Sequence, residues 1–114
     1  MTRTPLPARR QNETREVEFG GSAYSVCVGF YDDGQPAEVF ADGPREGSDM
    51  RATLSDACVL ISIALQHGIP RAELEHSLGR VPRWTPQGEA EGPASIIGAV
   101  IEAIGPMGGE DAAS

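Results

Sequence analysis

Lysine is absent from this 114-residue chain. All nine basic residues are arginine, set against seventeen acids, for a formal net charge of −8. Four of the arginines (Arg3, Arg9, Arg10 and Arg15) share the first fifteen residues with one acid, Glu13, so the rest of the chain carries five arginines against sixteen acids. Such a body repels a phosphate backbone, which excludes nonspecific nucleic-acid binding. Cysteine is nearly absent as well. Cys27 and Cys58 stand thirty-one positions apart with no CxxC and no Cys/His cluster, which excludes a zinc site of ordinary spacing. Both read as small apolar core residues. The longest apolar run, Ala57 to Leu65, is broken by Ser62 and is too short to cross a bilayer. The opening MTRTPLPARR lacks the apolar segment of a secretory signal, which predicts a cytoplasmic protein without a membrane partner. The length accommodates one domain with one core, not a large barrel enzyme.

What is present has clear periodicity. Residues 1–14, polar with two prolines, predict a flexible N-terminal arm. REVEF (15–19) alternates, Gly20-Gly21 signals a turn, and SAYSVCVGFY (22–31) alternates again. Tyr24, Val26, Val28 and Phe30 share a large apolar face, with Ser25, Cys27 and Gly29 on the other. Asp32-Asp33-Gly34 predicts a hairpin turn, and PAEVFA (36–41) a third strand with Pro36 at its first position. From Met50 the spacing becomes helical through Leu54, Cys58, Ile61 and Leu65. Val59, Leu60 and Ile63 make this helix apolar nearly all round, which predicts a central position with neighbours on several sides. Gly68 fits a C-terminal cap and Pro70 the start of a short helix with Leu74 and Leu78 inward. Residues 80–92, RVPRWTPQGEAEG, read as a loop. PASIIGAVIEAI (93–104) predicts a last helix with Ile97, Val100, Ile101 and Ile104 on one stripe, and 106–114 a disordered tail. The expected fold is therefore α+β, order βββααα: a three-stranded antiparallel meander covered on one face by three helices, in a single domain over 15–105.

Few residues suggest chemistry. His67 and His76 stand at helix ends, where the dipole favours an imidazole without further function, and no nucleophile lies at a diagnostic spacing from either. Asp32, Asp33 and Glu38 are close in sequence, but turn aspartates serve backbone geometry and the loop is no EF-hand. No catalytic, cofactor or metal residue is assigned. Trp84, between Arg83 and Pro86, reads as a lid folded back over the helices, with an anchor in a partner's pocket as its other use. In GPREGSDMRATL (43–54), Ser48 is a good N-cap and Asp49 suits the first helical turn. Arg45 and Arg51 supply positive potential for an anion at the same helix start, opposed by Glu46 and Asp49; the spacing is not that of a P-loop, so capping is the first reading and a nucleotide or phosphate ligand the alternative.

These segments resemble a known family. Leu6-Pro7 with Arg10 and Thr14, the hairpin VGFYDDGQPAEVF (28–40), Glu46-Gly47-Ser48, Asp56-Ala57, SIALQHGIP (62–70), TPQG (85–88) and Ala94-Ser95-Ile96 are similar, in order, to the C-terminal TSCPD domain of class II, adenosylcobalamin-dependent ribonucleotide reductases. The resemblance runs from about residue 6 to about residue 104. It implies a module that in the large reductases follows the catalytic barrel, where the active-site cysteines, cobalamin and nucleotide sites reside. No position here matches a catalytic residue, the C-terminal cysteine pairs of that family have no counterpart, and Gly98-Ala99 replace a more polar and aromatic pair. The expectation is a free-standing, non-catalytic TSCPD domain with a binding or regulatory role, its partner a ribonucleotide reductase or a second copy of itself. The expected contact surface joins Arg45, Gly47, Ser48, Asp49 and Arg51 to Arg83 and Trp84. Cys27 and Cys58 fall on different faces, which argues against a disulfide between them.

Overall fold

The computed structural model describes residues 3–5, 11–43 and 48–105, with Ser48 and Asp49 described by their backbone only. Strands β1 (Gln11–Phe19), β2 (Ser22–Phe30) and β3 (Pro36–Asp42) form an antiparallel meander in the order β1-β2-β3. β1 begins four residues before the expected Arg15, so the 14/15 boundary of the expected arm falls inside a strand. The Asp32–Gly34 turn closes as expected: Tyr31 N–H donates to the Gln35 carbonyl at 2.8 Å, and Asp33 Oδ1 accepts from Gln35 N–H at 2.9 Å. Tyr24, Val26, Val28 and Val39 lie buried on the inner face.

Helix α1 (Ser48–Gln66) lies on β3, and α3 (Ile96–Ile104) lies beside it across the sheet. Ser95 caps α3 by accepting from Gly98 N–H at 3.3 Å. Ile96, Val100, Ile101 and Ile104 complete the core from that helix, with Ile97 only partly buried. The short α2 (Arg71–Ser77) packs on α3 and sends Leu74 to the core, while Leu78 stays exposed. Gly68 ends α1 at φ 90°, a left-handed conformation that glycine adopts without a Cβ penalty, and Ile69 N–H returns to the Ala64 carbonyl at 3.1 Å.

The join between α1 and β3 uses polar groups on a shared repeat. Ser62 Oγ accepts from Val39 N–H at 2.9 Å and donates to the Val39 carbonyl at 3.3 Å. Gln66 Nε2 donates to the Ala37 carbonyl at 2.9 Å, and the Cys58 thiol is hydrogen-bonded to the Ala41 backbone. Positions 58, 62 and 66 thus meet strand positions 41, 39 and 37. Four helical residues rise ~6 Å, close to the ~6.7 Å of two strand residues, so each turn of helix meets the next outward-facing peptide of the edge strand. The free edge of β3 is closed by side chains where another strand would otherwise add.

Residues 80–92 differ from expectation. They form a second sheet, a hairpin of β4 (Arg80–Thr85) and β5 (Gly88–Pro93), giving the order βββααββα. Pro86-Gln87 make its two-residue turn, with Thr85 Oγ1 donating to the Gly88 carbonyl at 2.8 Å and accepting from Gln87 N–H. β4 is almost wholly exposed, so no alternation of buried side chains betrays it in the sequence. The backbone ladder and the turn hold the hairpin, and β5 attaches to α3.

Candidate interaction surface

The hairpin carries the most prominent feature of the surface. Alternation along β4 turns Arg83 inward, across Gly92 and to within 3.8 Å of Glu102 on α3. Trp84 therefore takes the opposite face and is 81 % exposed. It is not a lid over the helices, because its neighbour Arg83 holds the inward position. Glu89 lies directly opposite Trp84 in the ladder, and Glu91 opposite Pro82. The Trp84 face is thus a large apolar ring with a carboxylate rim. Arg80 steadies its base, 3.6 Å from Glu75 of α2 and 3.9 Å from Glu91, and Glu75 also binds Arg71 at 2.7 Å.

Of the other half of the expected surface, only Arg51 is described with its side chain. Arg45 and Gly47 are outside the described residues, as are the side chains of Ser48 and Asp49, so the capping and anion readings of that segment are too. Arg51 is exposed on the first turns of α1 and lines a 230 Å³ depression with Tyr24, Asp42, Gly43 and Leu54. α1 meets β3 and α3, whereas the hairpin reaches the body through α3, so Arg51 and Trp84 belong to different elements with α3 between their attachments.

A larger open depression of 630 Å³ lies between the N-terminal segment, the Asp32–Asp33 turn and the α1–α2 junction. The sequence did not mark it. Thr4 N–H donates to the Gln66 carbonyl at 2.7 Å, Arg3 Nε donates to Gln66 Oε1, and Tyr31 OH donates to the Thr4 carbonyl at 2.8 Å. Residues 3–5 are therefore docked on the end of α1. Gln66 is the hub, bonding arm and edge strand at once. Arg15, grouped by sequence with the arginines of the arm, caps α3 from β1: its Nη1 donates to the Ala103 carbonyl at 2.5 Å and to that of Gly105, and it pairs with Glu13 at 2.6 Å.

The titratable groups are dispersed. His67 is half-buried at the end of α1 and His76 exposed on α2. Asp32 and Asp33 are exposed, whereas Glu38 is 6 % exposed on the outer sheet face opposite Gly29, where a Cβ would come within 2.9 Å of its carboxylate. Among the described residues no three His, Cys, Asp or Glu side chains are grouped to hold a metal ion. Cys27 and Cys58 are free thiols on opposite faces of the sheet, and burial pushes Cys58 upward, with the Ala41 backbone bond opposing it more weakly. Among the described residues no helix is long and apolar enough to cross a membrane.

Comparison with known proteins identifies the family. The TSCPD domain family matches residues 2–106. The vitamin B12-dependent ribonucleotide reductases of Bradyrhizobium diazoefficiens and Agrobacterium fabrum are each 32 % identical over 94 residues, 82 % of this chain. The corresponding reductase of Rhodopirellula baltica is 33 % identical over 86 residues, 75 % of the chain. The matched region is only 7–8 % of each reductase. No solved structure matches. With a family match over residues 2–106, nearly its whole length, the chain belongs to the TSCPD domain family, and the region it shares with the vitamin B12-dependent ribonucleotide reductases is a small part of those proteins.

Proposed function

We propose that this TSCPD domain is a non-catalytic binding module that docks on a ribonucleotide reductase chain and regulates it, with the Trp84 face of the β4–β5 hairpin as its contact. The observation that carries the reading is the 81 % exposure of the only tryptophan, displayed on a regular hairpin. An indole in water is unfavourable, and tryptophan is enriched among the few residues that dominate interface energy. The relatives support the choice of partner, since in them the matched region is part of one reductase polypeptide. The rim of Glu89 and Glu91 selects a partner surface with arginine or lysine around an apolar pocket. Arg83, held by Glu102, sets the orientation of the strand that presents the indole. Two free thiols suit a reducing, cytoplasmic setting.

The test is a titration of labelled protein with a vitamin B12-dependent reductase. Trp84→Ala is expected to weaken binding about tenfold or more, with thermal stability almost unchanged because the ring is exposed. Equal affinity of wild type and variant, or no binding by either, would sink the reading. Nucleotide reduction by the isolated chain would overturn its non-catalytic part.

A further inference from the structure

Helix α1 departs from the expectation of a central helix enclosed on several sides. Only one arc, through Leu54, Cys58, Ile61 and Leu65, faces the core. The opposite arc carries Ala52, Asp56, Val59, Leu60, Ile63 and His67, with Leu60 68 % and Val59 52 % exposed. From 52 to 67 the helix and its end hold one acid and no arginine, on a chain of net charge −8.

The order of residues on this arc is self-complementary. Asp56 and His67 are eleven residues apart, about three turns or ~16 Å, so they lie on one line along the helix. We propose that this arc is the interface of a homodimer in which α1 packs antiparallel on α1 of a second copy. A two-fold axis level with the Ile61–Ser62 peptide sets Leu60 of one copy against Ile63 of the other, twice. The same axis sets Asp56 against His67 at both ends of that apolar strip. The carboxylate accepts from an imidazole N–H, so the only acid of the arc has a partner in the second copy, as an isologous interface requires. Helices approach to ~8–10 Å in such pairs, which bulky side chains in the middle and a polar pair at each end fit.

Charge favours this face for self-association. Two chains of net charge −8 repel each other, and the repulsion is least where the approaching surfaces are nearly neutral. A single helix face falls at the small end of stable interfaces, below about 1,200 Å² in total, so the dimer is expected to dissociate on dilution. The interface is separate from the Trp84 face and does not rest on the proposed partner.

Sedimentation velocity of the full chain from about 1 µM to about 1 mM tests it. The expected result is a rise in mass from 12.0 kDa toward twice that value. Leu60→Glu is expected to stay monomeric throughout, with an unchanged circular-dichroism spectrum because the position is exposed. Asp56→Arg and His67→Glu should each weaken association about tenfold, and the double variant, which sets an arginine against a glutamate at both ends, should recover it. Trp84→Ala should dimerise like wild type even where it has lost the reductase. A chain monomeric at all concentrations, a dimer unaffected by Leu60→Glu, or a double variant no better than the single ones would overturn the proposal.

Discussion

Cys58 illustrates how a single side chain reports its surroundings. Its thiol is buried between α1 and β3, and desolvation disfavours the thiolate, raising its pKa above the ordinary 9.0. The folded state therefore holds this proton at alkaline pH while the unfolded chain releases it. Below the unfolded pKa the contribution to stability is complete; it declines as pH rises from about 9 through the raised folded value. Denaturant unfolding is expected to show stability falling above pH 9 in wild type and a shallower fall in Cys58→Ala; parallel pH profiles would contradict this. Arg15 shows the same scale from the side of charge. By sequence it is only the first residue of the alternating segment REVEF, next to the arginines of the arm, yet its guanidinium donates to the carbonyls that end α3, where a cation is favoured by the helix dipole. Nothing local marks it, because its acceptors lie nearly ninety residues along the chain.

At the scale of elements, the polar side of α1 is as specific as its apolar side. SIALQHGIP identifies the segment, and the structure shows what two of its residues do: Ser62 and Gln66 close the free edge of β3. Ser62→Ala leaves the buried Val39 amide and carbonyl without that hydroxyl, which is expected to lower unfolding free energy by about 1–3 kcal/mol and to increase aggregation through the opened edge. Chemical denaturation together with light scattering measures both; an unchanged midpoint would show that the edge is satisfied otherwise. The hairpin β4–β5 is the opposite case. RVPRWT holds Val81, Trp84 and Thr85 but is interrupted by Pro82, GEAEGP is built of Gly, Glu, Ala and Pro, and only TPQG announces the turn. Along β4, Arg83 takes the α3 side, 3.8 Å from Glu102, and strand alternation leaves Trp84 on the opposite face.

Over the whole molecule, charge is the dominant long-range property. A net charge of −8 on a chain of 12.0 kDa means that folding brings acids together. Salt screens this repulsion over about 10 Å at 0.1 M, while the exposed ion pairs of Arg80 and Arg83 lose little. The melting temperature is expected to rise by a few degrees between low salt and about 0.5 M sodium chloride; a fall would mean that the ion pairs outweigh the net repulsion. Against that acidity stand two exposed apolar displays, the Trp84 ring and the outward arc of α1 with Val59 and Leu60.

By itself the sequence determined the meander, its turns, the inner face of β2, the helical segments and the family, because each is written in local periodicity or in a short motif. Those signals need only neighbours along the chain: alternation for Tyr24 to Phe30, an Asp-Gly turn, a left-handed Gly68. Only the tertiary structure decided which arcs and faces stay uncovered. Val59, Leu60 and Trp84 look like core residues by composition, and they are exposed because none of the described elements covers them. It also decided that Arg15 ends α3 and that Ser62 and Gln66 guard β3. The first depends on contact between residues nearly ninety apart, and the second on the match between the rise of a helix and the spacing of a strand folded against it, relations that no single stretch of residues contains.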